Sequence, residues 1–184
     1  MNDLSPQAVA AACQVPARLV PNVLANWPLL RKALGELGMD RPLVQVGFAA
    51  TINVECPPWK PIAEWGDHPE YDTGPKAARL GNTPEADGDG QKFEGRGFLQ
   101  NTGRANYLRL GNVLKLDLIN NPDLLLVPEH SARAAAYYWK DRGVDNACDY
   151  KLWKRVRRLV NGGYNGLDHF LGCVERLMVE ANKG

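Results

Sequence analysis

The chain has 184 residues, of which 45% are hydrophobic and 23% charged, and its formal net charge is +1. This length is sufficient for a substantial core, and the composition is that of an ordinary globular domain. A net charge so close to zero excludes a general electrostatic attraction to nucleic acid, so no nucleic-acid partner is expected.

The four cysteines, Cys13, Cys56, Cys148 and Cys173, form no C-x-x-C pair, which argues against a zinc ribbon or a thioredoxin-type redox site. Four free thiols are expected in preference to a disulfide framework. The three histidines lack the spacing of metal ligands, so neither a metal nor another cofactor is expected.

The first nine residues carry an acid and a proline, and no basic segment there precedes an apolar one. A signal peptide is therefore not recognisable, and no apolar run reaches the roughly 18 residues that a membrane-spanning helix needs. We expect synthesis in the cytoplasm and no stable membrane insertion.

Hydrophobic periodicity predicts a mainly α-helical chain. The pair Ser5-Pro6 is typical of a helix start, and a second helix is predicted over residues 21–37, where Pro28 would kink or split it. Residues 43–54 are almost continuously apolar and do not alternate, which favours a mostly buried helix that ends at Glu55. Three further helices are predicted, over residues 128–140, 150–160 and 167–180.

Glu55 stands at the end of the apolar helix, where burying a charged carboxylate is costly. Desolvation and the negative end of the helix dipole both favour the neutral acid, which is the form that protonates the leaving oxygen of a glycosidic bond. For this feature alone, a solvated glutamate at a helix end is the commoner explanation.

Residues 57–92 are predicted to be a long loop rich in proline and glycine, and long ordered loops are usually functional. The loop holds a second acid, Glu64, and the prolines before it exclude a helix face shared with Glu55. Inverting glycosidases need two carboxylates about 6.5–9.5 Å apart. Trp59 and Trp65 either stack on sugar faces or anchor the loop to the core, and the sequence leaves both open.

Residues 93–107 are predicted to form a short β-hairpin that leads into a helix. Gly95, Gly97 and Gly103 permit positive φ and a close approach of the backbone. Short polar side chains suited to sugar hydroxyls, acetamides or a positioned water follow: Gln100, Asn101, Thr102 and Asn106. No G-K-[ST] segment is present, and no G-x-G-x-x-G follows a strand, so a nucleotide site is poorly supported.

The sequence E-G-R-G-F-L-Q-N-T-G-R-A-N-Y at residues 94–107 closely resembles the G-R-G-x-x-Q-L-T-G-R-x-N-Y signature of glycoside hydrolase family 19, which chitinases and phage or bacterial endolysins share. The likeness extends to V-E-C and K-P-I-A-E-W-G within residues 54–66, to D-L-I-N-N-P-D-L at 117–124 and to V-N-G-G at 160–163. These segments stand in the family's order and cover about residues 43–170.

This resemblance implies a lysozyme-like helical fold with one small β-hairpin beside the active-site cleft, and an inverting mechanism. It makes Glu55 the general acid and Glu64 the general base that activates a water, with Thr102 holding that water. It also implies substrate contacts for Gln100, Asn106, Tyr107, Asn161 and Trp65.

Three residues depart from the family pattern. Asn101 replaces the usual leucine, Cys56 the usual threonine and His169 the usual arginine. Because that arginine supports the base and the substrate in the family, substrate affinity or pH optimum is expected to differ here. The family's common insertions around the first acid are also short, which favours the compact endolysin type.

A basic helix face is predicted from five residues: Lys151, Lys154, Arg155, Arg157 and Arg158. Such a face suits an anionic cell wall or lipid surface, although a solvated surface is the plainer interpretation.

The sequence as a whole predicts a single catalytic domain over residues 1–184, without a separate wall-binding module, that acts as a monomer. The expected function is that of a muramidase-type endolysin, which cleaves β-1,4 bonds in peptidoglycan glycan strands after release to the cell wall. A family 19 chitinase, a non-catalytic wall-binding relative and an effector against rival cell walls remain alternatives.

Overall fold

The structure is a computed structural model, and it describes residues 1–183. In chain order its elements are α1 (Pro6–Ala12), α2 (Val20–Glu36), α3 (Pro42–Glu55), β1 (Ile62–Ala63), α4 (Pro69–Asp72), α5 (Gly74–Leu80), α6 (Asp89–Lys92), β2 (Arg96–Gly97), α7 (Arg104–Leu114), α8 (Pro128–Asp141), α9 (Val144–Asp149), α10 (Trp153–Asn161) and α11 (Leu167–Ala181). Two 3₁₀ turns cover Ala17–Leu19 and Pro122–Leu126. The predicted mainly helical fold with a small antiparallel pair of strands is confirmed.

Internal contacts divide the chain into two compact units. The first unit comprises Met1–Lys60 and Ala135–Gly184, and the second comprises Pro61–Ala134. Helix α8 is divided between them, since its first half belongs to the second unit and its second half to the first.

Helix α3 is the centre of the first unit. Residues 44–53 are all buried, because α9, α10 and α11 all contact this helix. Gly47 allows the closest approach, since a Cβ there would stand only 2.5 Å from Cys148 Sγ. The prediction of a mostly buried helix ending at Glu55 is therefore confirmed.

The second unit contains the two-stranded sheet, in which Ile62 pairs with Gly97 and Ala63 with Arg96. Arg96 also forms a bridge with Asn101, so the chain between them turns tightly. The predicted hairpin is present. Its first strand, β2, also pairs with β1, which lies in the segment that the sequence predicted to be a loop.

One expectation about irregular structure is wrong. The predicted loop over residues 57–92 contains α4, α5 and α6, which have at most 7 residues each and are too short to show a periodic pattern. The prolines of α4 and α5 lie in first turns, where a proline favours a helix. Pro28 lies inside α2, so of the two expected effects the structure excludes a split of the helix.

The four cysteines are free and buried in the structure. Within residues 1–183, no helix is both long enough and apolar enough to span a bilayer. The same residues contain no group of three or more histidine, cysteine or acidic side chains arranged to hold a metal ion.

Candidate active site

Glu64 follows strand β1, and hydrogen bonds hold both oxygens of its carboxylate. The Tyr71 hydroxyl donates to Oε1 at 3.0 Å, and the Gly95 backbone N–H donates to Oε2 at 3.2 Å. The side chain is 30% exposed, so the carboxylate is fixed in orientation and still open to solvent. Because a carboxylate offers about four lone-pair positions, it can accept further hydrogen bonds.

Tyr71 is packed against His68. The two rings stack with centroids 4.6 Å apart and an interplanar angle of 16°, and His68 Nε2 lies 3.8 Å from Glu64 Oε1. Burial, together with the hydrogen bond to Glu64, raises the pKa of Tyr71 to about 12. The phenol therefore remains a hydrogen-bond donor to Glu64 throughout the neutral range.

Three predicted site residues converge on Gly95. A Cβ at this position would stand 2.8 Å from Gln100 Oε1, 2.9 Å from Glu64 Oε2 and 3.1 Å from Thr102 Oγ1. The three oxygens thus surround one small volume that a side chain at residue 95 would fill. A carboxylate, an amide oxygen and a hydroxyl gathered in this way are suited to bind a water and remove its proton.

Gln100 and Thr102 reach this volume because the turn after β2 fixes them. Gln100 has a φ of 47°, and its side-chain amide donates to the carbonyls of Ile62 at 3.1 Å and Gly97 at 2.9 Å. Its Oε1 is left to point towards Gly95. Thr102 donates its hydroxyl proton to the Gln100 carbonyl at 3.1 Å, so its oxygen can still accept a hydrogen bond.

Two other predicted contact residues have structural partners. Asn106 is half-buried, and its side-chain amide donates to the Thr102 carbonyl at 2.7 Å. Tyr107 is fully buried, and its hydroxyl donates to the Glu94 carbonyl at 2.8 Å and accepts from Arg96 at 3.2 Å. The expected substrate contact of Tyr107 is therefore wrong, because its ring is enclosed in the core and holds the hairpin in place.

The two tryptophans of the predicted loop differ in their exposure to solvent. Trp59 is fully buried, donates its indole N–H to Asn53 Oδ1 at 3.1 Å and packs edge-on against Trp27. Trp65, next to Glu64, is 96% exposed. Trp59 is therefore an anchor of the core, whereas Trp65 is accessible to a ligand.

In the first unit, Glu55 forms an ion pair with the buried Arg157. Arg157 Nε also donates to the Asn165 carbonyl at 2.6 Å, which ties the end of α3 to the turn after α10. The expectation that Arg157 lies on an exposed basic face is wrong. The signal that sequence reasoning missed is its place beside Val156 on the inward face of α10, where an arginine needs an acidic partner.

The sequence singled out four further residues, whose positions are as follows. Asn161 is the exposed last residue of α10. His169 in α11 has its Nε2 3.2 Å from the side-chain amide of Asn53. Cys56 donates its thiol to the Lys60 carbonyl at 3.0 Å, and burial raises its pKa to about 11, so it is a packing residue. Asn101 is buried, and its backbone pairs with β2.

No family model matches the chain. Over 106 residues, 58% of its length, the chain is 37% identical to a glycosyl hydrolase family 19 domain-containing protein of Haemophilus influenzae. The chain is therefore similar to a protein of glycoside hydrolase family 19. Over 51 residues it is also 47% identical to an endochitinase of Pisum sativum. This chain covers 51% of the first relative and 16% of the second, so it spans at most about half the length of either.

Two solved chitinase structures share the fold of this chain. Chitinase C from Streptomyces griseus HUT6037 matches 95% of this chain and 92% of its own, with a TM-score of 0.64 and 19% identity. A variant of chitinase C matches 95% of this chain and 76% of its own, with a TM-score of 0.63 and 18% identity. The predicted lysozyme-like helical fold is thereby confirmed.

Proposed function

We propose that this family 19 relative hydrolyses the β-1,4 bonds between amino sugars of bacterial peptidoglycan, with inversion, as an endolysin. The observation that carries the proposal is the convergence of Glu64, Gln100 and Thr102 on one small volume beside Gly95. The similarity to family 19 supports glycoside hydrolysis. The family's insertions around the first acid, here Glu55, are short in this chain, which favours the endolysin type. The enzyme would act as a monomer at the cell wall.

In the proposed reaction Glu64 is the general base. A water held between its carboxylate and the Thr102 hydroxyl attacks the anomeric carbon of the sugar and passes a proton to Glu64. Glu55 is the general acid, and it gives a proton to the oxygen of the departing sugar as the glycosidic bond breaks. The new carbon–oxygen bond forms on the face opposite to the broken one, so the first product is the α anomer.

Four further residues are proposed to contact the substrate. Trp65 is the best placed, because an exposed indole presents an apolar face on which a sugar ring can stack. Gln100 would contribute its free amide oxygen, and Asn106 and Asn161 their side-chain amides.

A chitinase of the same family is the second candidate, because the relatives in the comparisons include an endochitinase and chitinase C. It would use the same acid and base on an uncharged sugar polymer. The deciding measurement is the turnover of purified peptidoglycan against that of colloidal chitin. The proposal expects faster release of reducing ends from peptidoglycan, and a clear preference for chitin would replace it by the chitinase.

The acid and base roles are tested with Glu64→Gln and Glu55→Gln. Both variants should lose nearly all hydrolysis while still binding the polymer, and fresh wild-type product should be the α anomer by NMR. Mass spectrometry of the products would identify which of the two alternating bonds is cut. Unchanged lysis by both variants would show that the chain is a binding module or uses other residues.

A further inference from the structure

Three arginines line a cavity in the first unit. The cavity has a volume of about 750 Å³, and its wall contains Arg142, Arg155, Arg158, Leu159, Gly162 and Tyr164. An adjoining cavity of about 240 Å³ shares Arg142 and Arg155 and is bordered by Tyr150. Two guanidinium groups therefore border both cavities, and each cavity carries an exposed tyrosine.

The charges of these arginines are largely uncompensated. Neither the Arg155 nor the Arg158 guanidinium has an ion-pair or hydrogen-bond partner among residues 1–183, and Arg142 has Asp141 at 4.0 Å. Arg155 also lies in the first turn of α10, which contains no acidic residue. A positive charge at that end of a helix opposes the helix dipole, so helix stability does not explain Arg155. An anionic ligand would explain it.

Tyr138 connects this cavity to the end of α10. The Arg142 guanidinium lies 3.7 Å from the centre of the Tyr138 ring, a cation–π contact that orients it. The Tyr138 hydroxyl donates to the Val160 carbonyl at 2.6 Å, immediately before Asn161. Arg142 is thus connected through Tyr138 to Val160, the neighbour of a residue that is proposed to contact the sugar chain.

We propose that this cavity, the arginine pocket, binds the carboxylates of the short stem peptides that peptidoglycan carries on its sugars. This inference rests on the proposed function and deepens it. The forked guanidinium matches a carboxylate in a bidentate pair, and the volume suits a short peptide. Because chitin has no anionic group, the arginine pocket would favour peptidoglycan over chitin.

Phosphate groups of lipids also pair with guanidinium groups, but the structure favours the peptide. The arginines line concave surfaces, and the wall of the larger cavity includes Gly162, which follows Asn161 in the chain. A lipid surface would require a flat contact with many headgroups at once. A lipid is therefore treated as a competing outcome of the experiment.

The test uses the full chain and two variants of equal charge. The combined change Arg155→Gln and Arg158→Gln alters the arginine pocket. The matched control, Lys151→Gln and Lys154→Gln, removes two exposed charges from the same segment but none from the cavity wall. All four side chains are exposed, and thermal unfolding confirms that both variants fold. A third variant, Arg155→Lys with Arg158→Lys, keeps the charge but not the fork.

Calorimetry then measures binding of a disaccharide carrying a tetrapeptide, the same disaccharide without peptide, and the free tetrapeptide. The arginine-to-glutamine variant should bind both peptide-bearing ligands about tenfold more weakly than the wild type, as expected for two partly exposed charge pairs. Binding of the peptide-free disaccharide should not change. The lysine control should match the wild type, and the arginine-to-lysine variant should lie between.

Equal wild-type affinity for the disaccharide with and without peptide would overturn the proposal, as would an equal loss in the lysine control. So would a variant that loses binding to phosphatidylglycerol vesicles while keeping the peptide ligands, because the anion would then be a lipid. Failure of the proposed function gives a different result. A wild type that hydrolyses chitin alone refutes peptidoglycan hydrolysis, whereas binding of the free tetrapeptide tests the arginine pocket independently of turnover.

Discussion

Arg157 is the more deeply buried partner of its ion pair with Glu55, since 2% of its side chain is exposed against 25% for Glu55. In its ionised form, the proposed general acid is therefore also the group that neutralises a buried guanidinium. Removing one partner of a fully buried pair costs about 3–5 kcal/mol, and the partial exposure of Glu55 reduces that cost. Loss of activity after a change at Glu55 consequently has two possible causes.

Glu55→Gln should lower stability as well as activity. We expect a loss of about 1–3 kcal/mol, because a neutral amide can still accept a hydrogen bond from Arg157 but cannot balance its charge. Thermal and denaturant unfolding measure the loss. Adding Arg157→Met should restore much of the stability without restoring activity. An unfolding temperature equal to that of the wild type would show that Glu55 does not stabilise Arg157.

Tyr71→Phe should reduce the turnover number without unfolding the protein. The change removes the donor to Glu64 Oε1 and keeps the ring that stacks on His68. The loss of one hydrogen bond of about 0.5–1.5 kcal/mol predicts a fall of roughly two- to thirteenfold in kcat. Steady-state kinetics on peptidoglycan give the value, and an unchanged kcat would mean that the orientation of Glu64 does not depend on Tyr71.

The same variant should change the alkaline limit of stability. Burial raises the pKa of Tyr71 to about 12, above the ordinary value of 10.0, so the unfolded chain loses this proton first. Its contribution is complete below pH 10 and disappears as the pH rises towards 12. Tyr71→Phe should therefore lose less stability than the wild type between these two values, as urea unfolding at several pH values would show.

Gly95→Ala should abolish activity. The added methyl group would meet three oxygens at 2.8–3.1 Å, those of Gln100, Glu64 and Thr102, and would displace them or occupy the space of the attacking water. Gly35→Ala is the control, because its Cβ would find only one atom within 4 Å, at 3.8 Å, and alanine favours the surrounding helix. Retention of activity by Gly95→Ala would contradict the proposal that Glu64 acts as the base on a water in this volume.

The hydrophobic pattern of the sequence predicted those helices whose formation depends on residues close together in the chain. The buried helix over Pro42–Glu55 follows from an uninterrupted apolar run with a proline at its start. The partner of Glu55 could not be found in this way, because Arg157 lies 102 residues further along the chain. An inward arginine signals that an acid is near but does not say which one.

The surroundings of Glu64 show the same limit. Glu64 could be identified because the segment around it resembles a motif of a known family. Tyr71, in contrast, lies in a segment whose prolines and glycines predicted only a loop. Its contact with Glu64 depends on α4, a helix of 4 residues that leaves no periodic trace. Tyr107 shows the converse, since membership in a motif did not reveal that its ring belongs to the core.

The four cysteines should resist thiol reagents in the folded protein. All are buried, and burial raises the pKa of Cys56 to about 11 and that of Cys148 well above its ordinary value. Contact with Cys173 and burial also raise the pKa of Cys13. Because the thiolate is the reactive form, a chromogenic disulfide reagent at pH 8 should label almost none of them. All four should react in guanidinium chloride, and rapid labelling of the native state would contradict the buried positions.

The two tryptophans near the proposed acid and base provide a matched pair for the last prediction. Trp65→Ala removes a ring that is 96% exposed, so stability should hardly change while KM rises as a stacking contact is lost. Stacking of a nucleobase on an aromatic ring contributes about 1–3 kcal/mol to binding, and this range is an upper bound for the binding free energy lost in Trp65→Ala. Trp59→Ala empties a fully buried site and should destabilise the fold by about 3–5 kcal/mol. Unfolding curves and kinetics on both variants measure this contrast, and an unaltered KM in Trp65→Ala would exclude Trp65 from the substrate site.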